Sequence, residues 1–158
     1  MMKEGYRENV AAIIINKDKK VLMCEHAWID NAWQIPQGGV EKEEKEDEAI
    51  IRELFEEIGT KNFKIIDKME TTVKYIFPYH LKEKYKFDGQ EQKYFLLYFT
   101  GEDKEFRFDN QEKPEFNVCE WVEYAEPPKR VIYFKKLAYL EALDYFKETV
   151  DKLDTSKL

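Results

Sequence analysis

Apolar residues fall in short runs separated by charged, turn-forming stretches, and the period within the runs changes along the chain. Residues 9–16 (NVAAIIIN) are apolar almost throughout, the pattern of a buried strand. Lys17-Asp18-Lys19-Lys20 makes a turn, and 21–25 returns as a second strand of a hairpin. A loop through Asp30 and Asn31 leads to Trp33-Gln34-Ile35-Pro36-Gln37 and a Gly-Gly turn. From about residue 44 to 58 the period becomes helical, with Gly59 placed to cap the C-terminus. Residues 63–69 and 71–77 read as strands, the second stopped at Pro78. The charged stretch 79–91 reads as a long loop, 92–100 (QKYFLLYFT) as a clear strand, and 118–122 as a short one after a polar loop through Pro114. Pro127-Pro128 interrupts regular structure, and 131–150 carries a helical pattern. Strands mixed with two helices predict an α/β (α+β) fold, a sheet sandwiched between helices.

Composition narrows the picture. A length of 158 residues with 43% hydrophobic content suits one domain, expected over residues 1–158, with a sizeable core. A formal net charge of −7 argues against a surface that coats DNA or RNA broadly, while leaving room for a local basic pocket that takes a phosphorylated RNA end. Cys24 and Cys119 are far apart and form no ligand-spaced pair, so they are expected as buried, reduced thiols. His26 and His80 supply no zinc motif. Residues 1–10 hold no apolar leader and no run reaches transmembrane length, so no membrane partner is expected and the cytoplasm is the expected compartment.

The helix at 44–58 carries the chemistry. At about 100° per residue, Ile50, Ile51, Leu54, Phe55 and Ile58 are expected on one side. Glu53, Glu56 and Glu57 are expected on the other, beside Ala49 and Arg52. Carboxylates at i, i+3 and i+4 repel one another unless a cation lies between them. Oxygen donors without Cys or His nearby suit Mg²⁺, with Mn²⁺ as a substitute. A solvated acidic face, with Arg52 paired to Glu48 or Glu56, is the plainer alternative. The Gly38-Gly39 turn lets the backbone approach closely and sets the Gln37 carbonyl at the head of the helix, where it can face a metal.

The spacing Gly38-x5-Glu44-x7-Arg52-Glu53-Leu54-x-Glu56-Glu57-x-Gly59 identifies the stretch 38–60 as a Nudix box, and the chain resembles the Nudix hydrolases. Its flanks resemble the subgroup of bacterial RNA pyrophosphohydrolases and dinucleoside polyphosphate hydrolases. Tyr6-Arg7-Glu8-Asn9-Val10 is similar to that subgroup's Y-R-P-N-V opening, and Trp33 to Gly39 to its W-Q-x-P-Q-G-G lead. Residues 89–96 (GQEQKYFL), Pro114-Glu115-Phe116 and Phe134-Lys135-Lys136 are similar to its G-Q-x-Q-[KR]-[WY]-F-L, P-E-F and F-K-R segments. The chain departs from the pattern at Glu8, at Glu43 where a glycine is common, at Thr60 where an aliphatic residue is usual, and at His26-Ala27 in a segment often rich in arginine.

The resemblance implies an α/β/α sandwich with a mixed central sheet and hydrolysis of a phosphoanhydride with Mg²⁺. It implies Glu53, Glu56, Glu57, Glu115 and the Gln37 carbonyl as metal ligands, with Glu53 or Glu57 taking the proton of the attacking water and Arg52 orienting the glutamates. Glu115 alone would read as surface charge. Arg7, Gln90, Gln92, Ile132, Phe134 and Lys135 are the implied substrate contacts, Arg7 because a guanidinium fork fits phosphate oxygens. Phe134 read by itself is a core aromatic; flanked by Lys129, Arg130, Lys135 and Lys136 it is also a candidate platform for a stacked base. Tyr75 and Tyr94 stay open between core and site. The implied substrate is a 5′-triphosphate or diphosphate RNA end, converted to a monophosphate. The alternatives are a dinucleoside polyphosphate such as diadenosine tetraphosphate and, in a different class, a non-catalytic module that binds nucleotides or RNA ends.

Overall fold

A computed structural model describes residues 5–158, so Met1 to Glu4 of the expected domain and N-terminal stretch lie outside the described residues. The strands are β1 (Tyr6–Ile15), β2 (Val21–His26), β3 (Trp33–Gln34), β4 (Gln37–Gly39), β5 (Phe63–Lys68), β6 (Val73–Ile76), β7 (Gly89–Phe99) and β8 (Phe116–Val122). The helices are α1 (Glu46–Ile58), α2 (Tyr79–Tyr85), α3 (Pro127–Arg130) and α4 (Lys136–Lys152). One mixed sheet runs β3-β2-β1-β7-β5, with β4 joined to β1, β6 to β7 and β8 to β2. β1 and β7 are parallel, and the other pairs are antiparallel.

The period of two along β1 explains the sandwich. Val10, Ala12 and Ile14 face one core with Ala49, Ile50, Leu54 and Ile58 of α1. Ala11, Ile13 and Ile15 face the other with Ala138, Tyr139, Ala142, Leu143, Phe146 and Val150 of α4. Covered on both faces from Val10 to Ile15, the strand must be apolar over that stretch, which is how it reads. Each buried Leu, Ile or Phe contributes roughly 1.5–3 kcal/mol. The Tyr139 hydroxyl also accepts the Ile35 N–H at 3.0 Å, tying α4 to the segment before β4.

Several elements differ from expectation. Stretch 79–91 holds α2 and the start of β7 where a loop was expected. Pro127-Pro128 opens α3 because proline suits the first helical positions, where no N–H is needed. Phe134 lies in a 3-10 turn at Tyr133–Lys135 ahead of α4, outside the last helix. Phe55 is 40% exposed while Ala49 and Glu57 are buried. On the helical wheel Glu57 stands about 20° from Ile50, so the carboxyl shares the core-facing side and does not oppose it. Cys24 and Cys119 sit opposite each other in the β2–β8 pairing and form a disulfide, which corrects the expectation of reduced thiols. A separation of 95 residues hides that pairing from sequence.

The unusual box positions have structural counterparts. Gly59 caps α1 in the left-handed region at φ 85°, its N–H donating to the Phe55 carbonyl at 3.0 Å. Thr60 is buried and its hydroxyl donates to Glu105 at 3.0 Å while accepting the Asn62 N–H at 3.1 Å, a role no aliphatic residue fills. Glu43 adopts φ 67°, the conformation that glycine takes without strain. Glu43→Gly is therefore expected to stabilise the protein by about 1 kcal/mol. Urea denaturation would register it as a higher midpoint at unchanged slope, and a lower midpoint would refute it.

Candidate active site

Three strand pairings gather the site. β1 lies between β4 and β7, and the parallel register sets Arg7 beside Gln90 and Asn9 beside Gln92. On β1's other edge, Asn9 pairs with Gly39 and Val10 with Gly38, while β6 brings Tyr75 opposite Gln90. Gly38 faces α1 so closely that a Cβ there would overlap the Glu53 carboxyl.

Two cavities open from this junction. The smaller, about 240 Å³, is lined by Arg7, Asn9, Gln37, Gly38, Gly39, Glu53, Gln90 and Glu115. The larger, about 470 Å³, shares Arg7, Gln37, Gln90 and Glu115 and extends past Tyr75, Phe77, Ile132, Phe134 and Lys135 to α2. One wall is polar and acidic; the other is aromatic and edged with cations.

Arg52 organises the carboxylates. Its Nε and one Nη donate to both oxygens of Glu44, at 2.7 and 2.9 Å, and that Nη also reaches the Gly39 carbonyl at 2.9 Å. The other Nη donates to Glu53 at 3.0 Å and to Glu56 at 3.2 Å. The alternative partner Glu48 instead accepts the Lys45 N–H at the head of α1. Arg52's hydrogen bond holds the Glu44 carboxyl below the ordinary range, and the same bonds raise the guanidinium's own pKa despite partial burial.

Glu57 is 1% exposed, and no N–H or O–H of the described residues donates to either of its oxygens. Its close neighbours are the carboxyls of Glu53 and Glu115, which as carboxylates have no hydrogen to donate. Burial first, then the charges of Glu115 and Glu53, push the Glu57 pKa well above the usual range. Burial also raises Glu53 against the pull of Arg52, and raises Glu115 against the nearby cations. Among the described residues no three acidic, His or Cys side chains enclose an ion as they stand. The chemistry nonetheless fits a hard divalent cation: both Glu57 oxygens are buried without a donor, Asn9 Oδ1 is likewise orphaned, and two further carboxyls lie alongside. Glu56 lines neither cavity and is held on the outer side by Arg52.

The glutamines form a directed chain. Tyr94 donates to Gln92 at 2.7 Å, Gln92 to Gln37 at 2.8 Å, and Gln37 to Gln90 at 3.2 Å, while Tyr75 also donates to Gln90. Gln92 is 0% exposed and lines neither cavity, so it stands behind the wall, where a substrate contact was expected. Gln90 has its oxygen taken twice and lines both cavities. Tyr94 belongs to the core and Tyr75 to the cavity wall. Phe134 packs on Tyr75 and Phe77 with ring centroids 5.8 and 6.2 Å apart, leaving a partly exposed edge on the cavity. Lys135 is buried and its Nζ lies 5.6 Å from the Tyr75 ring centre; burial, opposed by Glu115, lowers its pKa to about 8. Ile132 is 52% exposed at the rim.

Sequence reasoning missed Asn9 and the α2 residues His80, Leu81, Lys84 and Tyr85, all on the cavity walls. The i,i+4 repeats His80/Lys84 and Leu81/Tyr85 were the available signal.

The NUDIX domain family model matches residues 5–142. The chain is 42% identical over 153 residues to the RNA pyrophosphohydrolase of a Nitratiruptor species, covering 94% of this chain and 97% of that protein. It is 38% identical over 151 residues to the chloroplastic Nudix hydrolase 26 of Arabidopsis thaliana, covering 90% of this chain and 70% of that protein. Among solved structures, the E. coli dihydroneopterin triphosphate pyrophosphohydrolase shares the fold with a TM-score of 0.69 at 21% identity, over 90% of this chain and 97% of that one.

Proposed function

We propose that this chain, which belongs to the NUDIX domain family, hydrolyses the phosphoanhydride of a 5′-triphosphate or diphosphate RNA end and leaves a 5′-monophosphate. The observation that carries the reading is the junction of the two cavities, which share Arg7, Gln37, Gln90 and Glu115. A polyphosphate fits the acidic cavity once a cation is present, and a base fits against Phe134 and Ile132 in the other. The name of the Nitratiruptor relative, matched over nearly its full length, supports the same substrate.

Glu53, Glu57 and Glu115, with the Gln37 carbonyl, would hold Mg²⁺ or Mn²⁺; Glu56, beside Arg52 on the outer side, would join them by turning inward. The ion would neutralise charge on the polyphosphate and acidify the attacking water. Arg52 keeps Glu53 and the Gly39 turn in fixed relation, a positioning role. Glu53 is the candidate proton acceptor, because it faces the cavity while Glu57 is enclosed. Arg7, which lines both cavities, and Lys135, in the wall of the larger one, bind phosphate oxygens. Among the described residues no helix is long and apolar enough to cross a membrane, and the cytoplasm is the compartment we propose.

Incubation with Mg²⁺ and RNA labelled on its terminal phosphates tests the reading. Release of labelled phosphate or pyrophosphate, leaving monophosphorylated RNA, is the expected result; no release from RNA would sink it. Equal concentrations of diadenosine tetraphosphate in the same tube would separate the dinucleotide alternative, whose product would then dominate.

A further inference from the structure

We infer that α2 is a subsite for the phosphodiester that follows the first nucleotide, with His80 and Lys84 as its contacts, so that the site favours a polymer end over a free nucleotide. The inference rests on the proposed use of the two cavities and assigns their outer wall.

Charge on the wall is the first observation. The chain carries a net charge of −7, yet Glu115 is the only acidic side chain among the described residues lining the larger cavity, against Arg7, Lys84, Lys135 and two histidines. Glu115 lies at the inner end, where the two cavities meet. The outer wall therefore holds positive charge without a compensating carboxylate.

The second observation is how α2 presents its residues. His80 and Lys84 are one turn apart on the helix and both exposed, and Leu81 and Tyr85 fill the same face. Tyr85 anchors it on Phe77 with ring centroids 5.6 Å apart. The single acidic residue of α2, Glu83, accepts a hydrogen bond from Tyr79 at 3.0 Å, and Lys84 makes no ion pair with any described residue. Its Nζ instead lies 5.3 Å from the Tyr85 ring centre. A cation next to an exposed aromatic on a cavity wall is the arrangement that tracks a single-stranded nucleic acid backbone.

Chemistry identifies the ligand. With terminal phosphates at Arg7 and the carboxylate cluster and a base against Phe134, the next anion along an RNA chain is its first phosphodiester. A nucleoside triphosphate carries only a hydroxyl there, so it gains nothing from His80 and Lys84.

The test measures binding and turnover on the full chain with Mg²⁺. A 5′-monophosphorylated RNA pentamer labelled at its 3′ end is expected to bind the parent at least about tenfold more tightly than the matching mononucleotide. The double variant His80→Ala, Lys84→Ala is expected to lose most of that ratio, and the slope of log affinity against log salt should shrink by about 0.7 per lost contact. On triphosphorylated substrates, kcat/KM for RNA should fall about tenfold more than kcat/KM for the nucleoside triphosphate. Equal falls for the two, an unchanged binding ratio, or an equal loss on diadenosine tetraphosphate would overturn the phosphodiester assignment. A parent that binds the pentamer in this way but releases no phosphate would retain the subsite and refute the proposed reaction. A parent that hydrolyses RNA ends but ignores the double substitution would do the reverse.

Discussion

Replacement of Glu57 by glutamine is expected to lower kcat on triphosphorylated RNA by about 10³-fold or more while the fold survives. The side chain is enclosed and both its oxygens lack a donor. Glutamine keeps the volume but offers one oxygen and no charge, so a cation loses one of its strongest donors. The effect on stability separates this reading from simple unfolding. Burial holds a proton on Glu57 in the folded chain at pH values where the unfolded chain has released it. Without metal the folded state therefore binds more protons, and stability falls as pH rises above the ordinary carboxylate range. Glu57→Gln should flatten that fall above the ordinary carboxylate range; part of it stays, because Glu53 and Glu115 are raised too. Mg²⁺ should raise the parent's melting temperature and raise the variant's far less. Thermal melts at several pH values, with and without Mg²⁺, check both statements, and a variant with parental turnover would end the assigned role.

Gly38→Ala is expected to have the second largest effect, a loss of about 10²-fold in kcat. The added methyl would occupy the place of the Glu53 carboxyl. Glu53 must swing away from a position that Arg52 fixes at 3.0 Å, and the carboxylate then points out of the acidic cavity. The helix and strand need not move, since only the end of a side chain is displaced, so the melting temperature should change by no more than a few degrees. Gly39→Ala is the control: its methyl meets only the Arg7 guanidinium at 3.7 Å, an ordinary contact, and the loss should stay below about tenfold. Steady-state kinetics on both variants decide the matter. Equal losses would mean that the turn, and not room for Glu53, is what the glycines supply.

Much of this was legible in the residues. The apolar run of β1, the helical period of α1 and the Gly59 cap follow from local rules, and the box spacing brings Glu53 and Arg52 to one helix turn. Other features escaped for identifiable reasons. α2 is short and highly charged, so its period was weak, and its helical form is supported by Tyr85 packing on Phe77. The disulfide depends on the register of β2 against β8, a long-range pairing no local pattern encodes. The resemblance of residues 89–96 to the subgroup's G-Q-x-Q segment implied Gln92 as a substrate contact, but of the two glutamines only Gln90 reaches the cavity and Gln92 is enclosed behind it.

The residues by themselves carried the reaction class, but through the full spacing from Gly38 to Gly59 that resembles the Nudix box; carboxylates at i, i+3 and i+4 alone also suit a solvated acidic face. Only the tertiary structure decided which carboxylate is enclosed and which is held outside. Glu57 is buried because the sheet covers the helix face it shares with Ile50, while Glu56 stays on the outer face with Arg52. Burial, charge coupling and cavity shape depend on what lies across from a residue, and that is set by strand pairings between segments far apart in the chain.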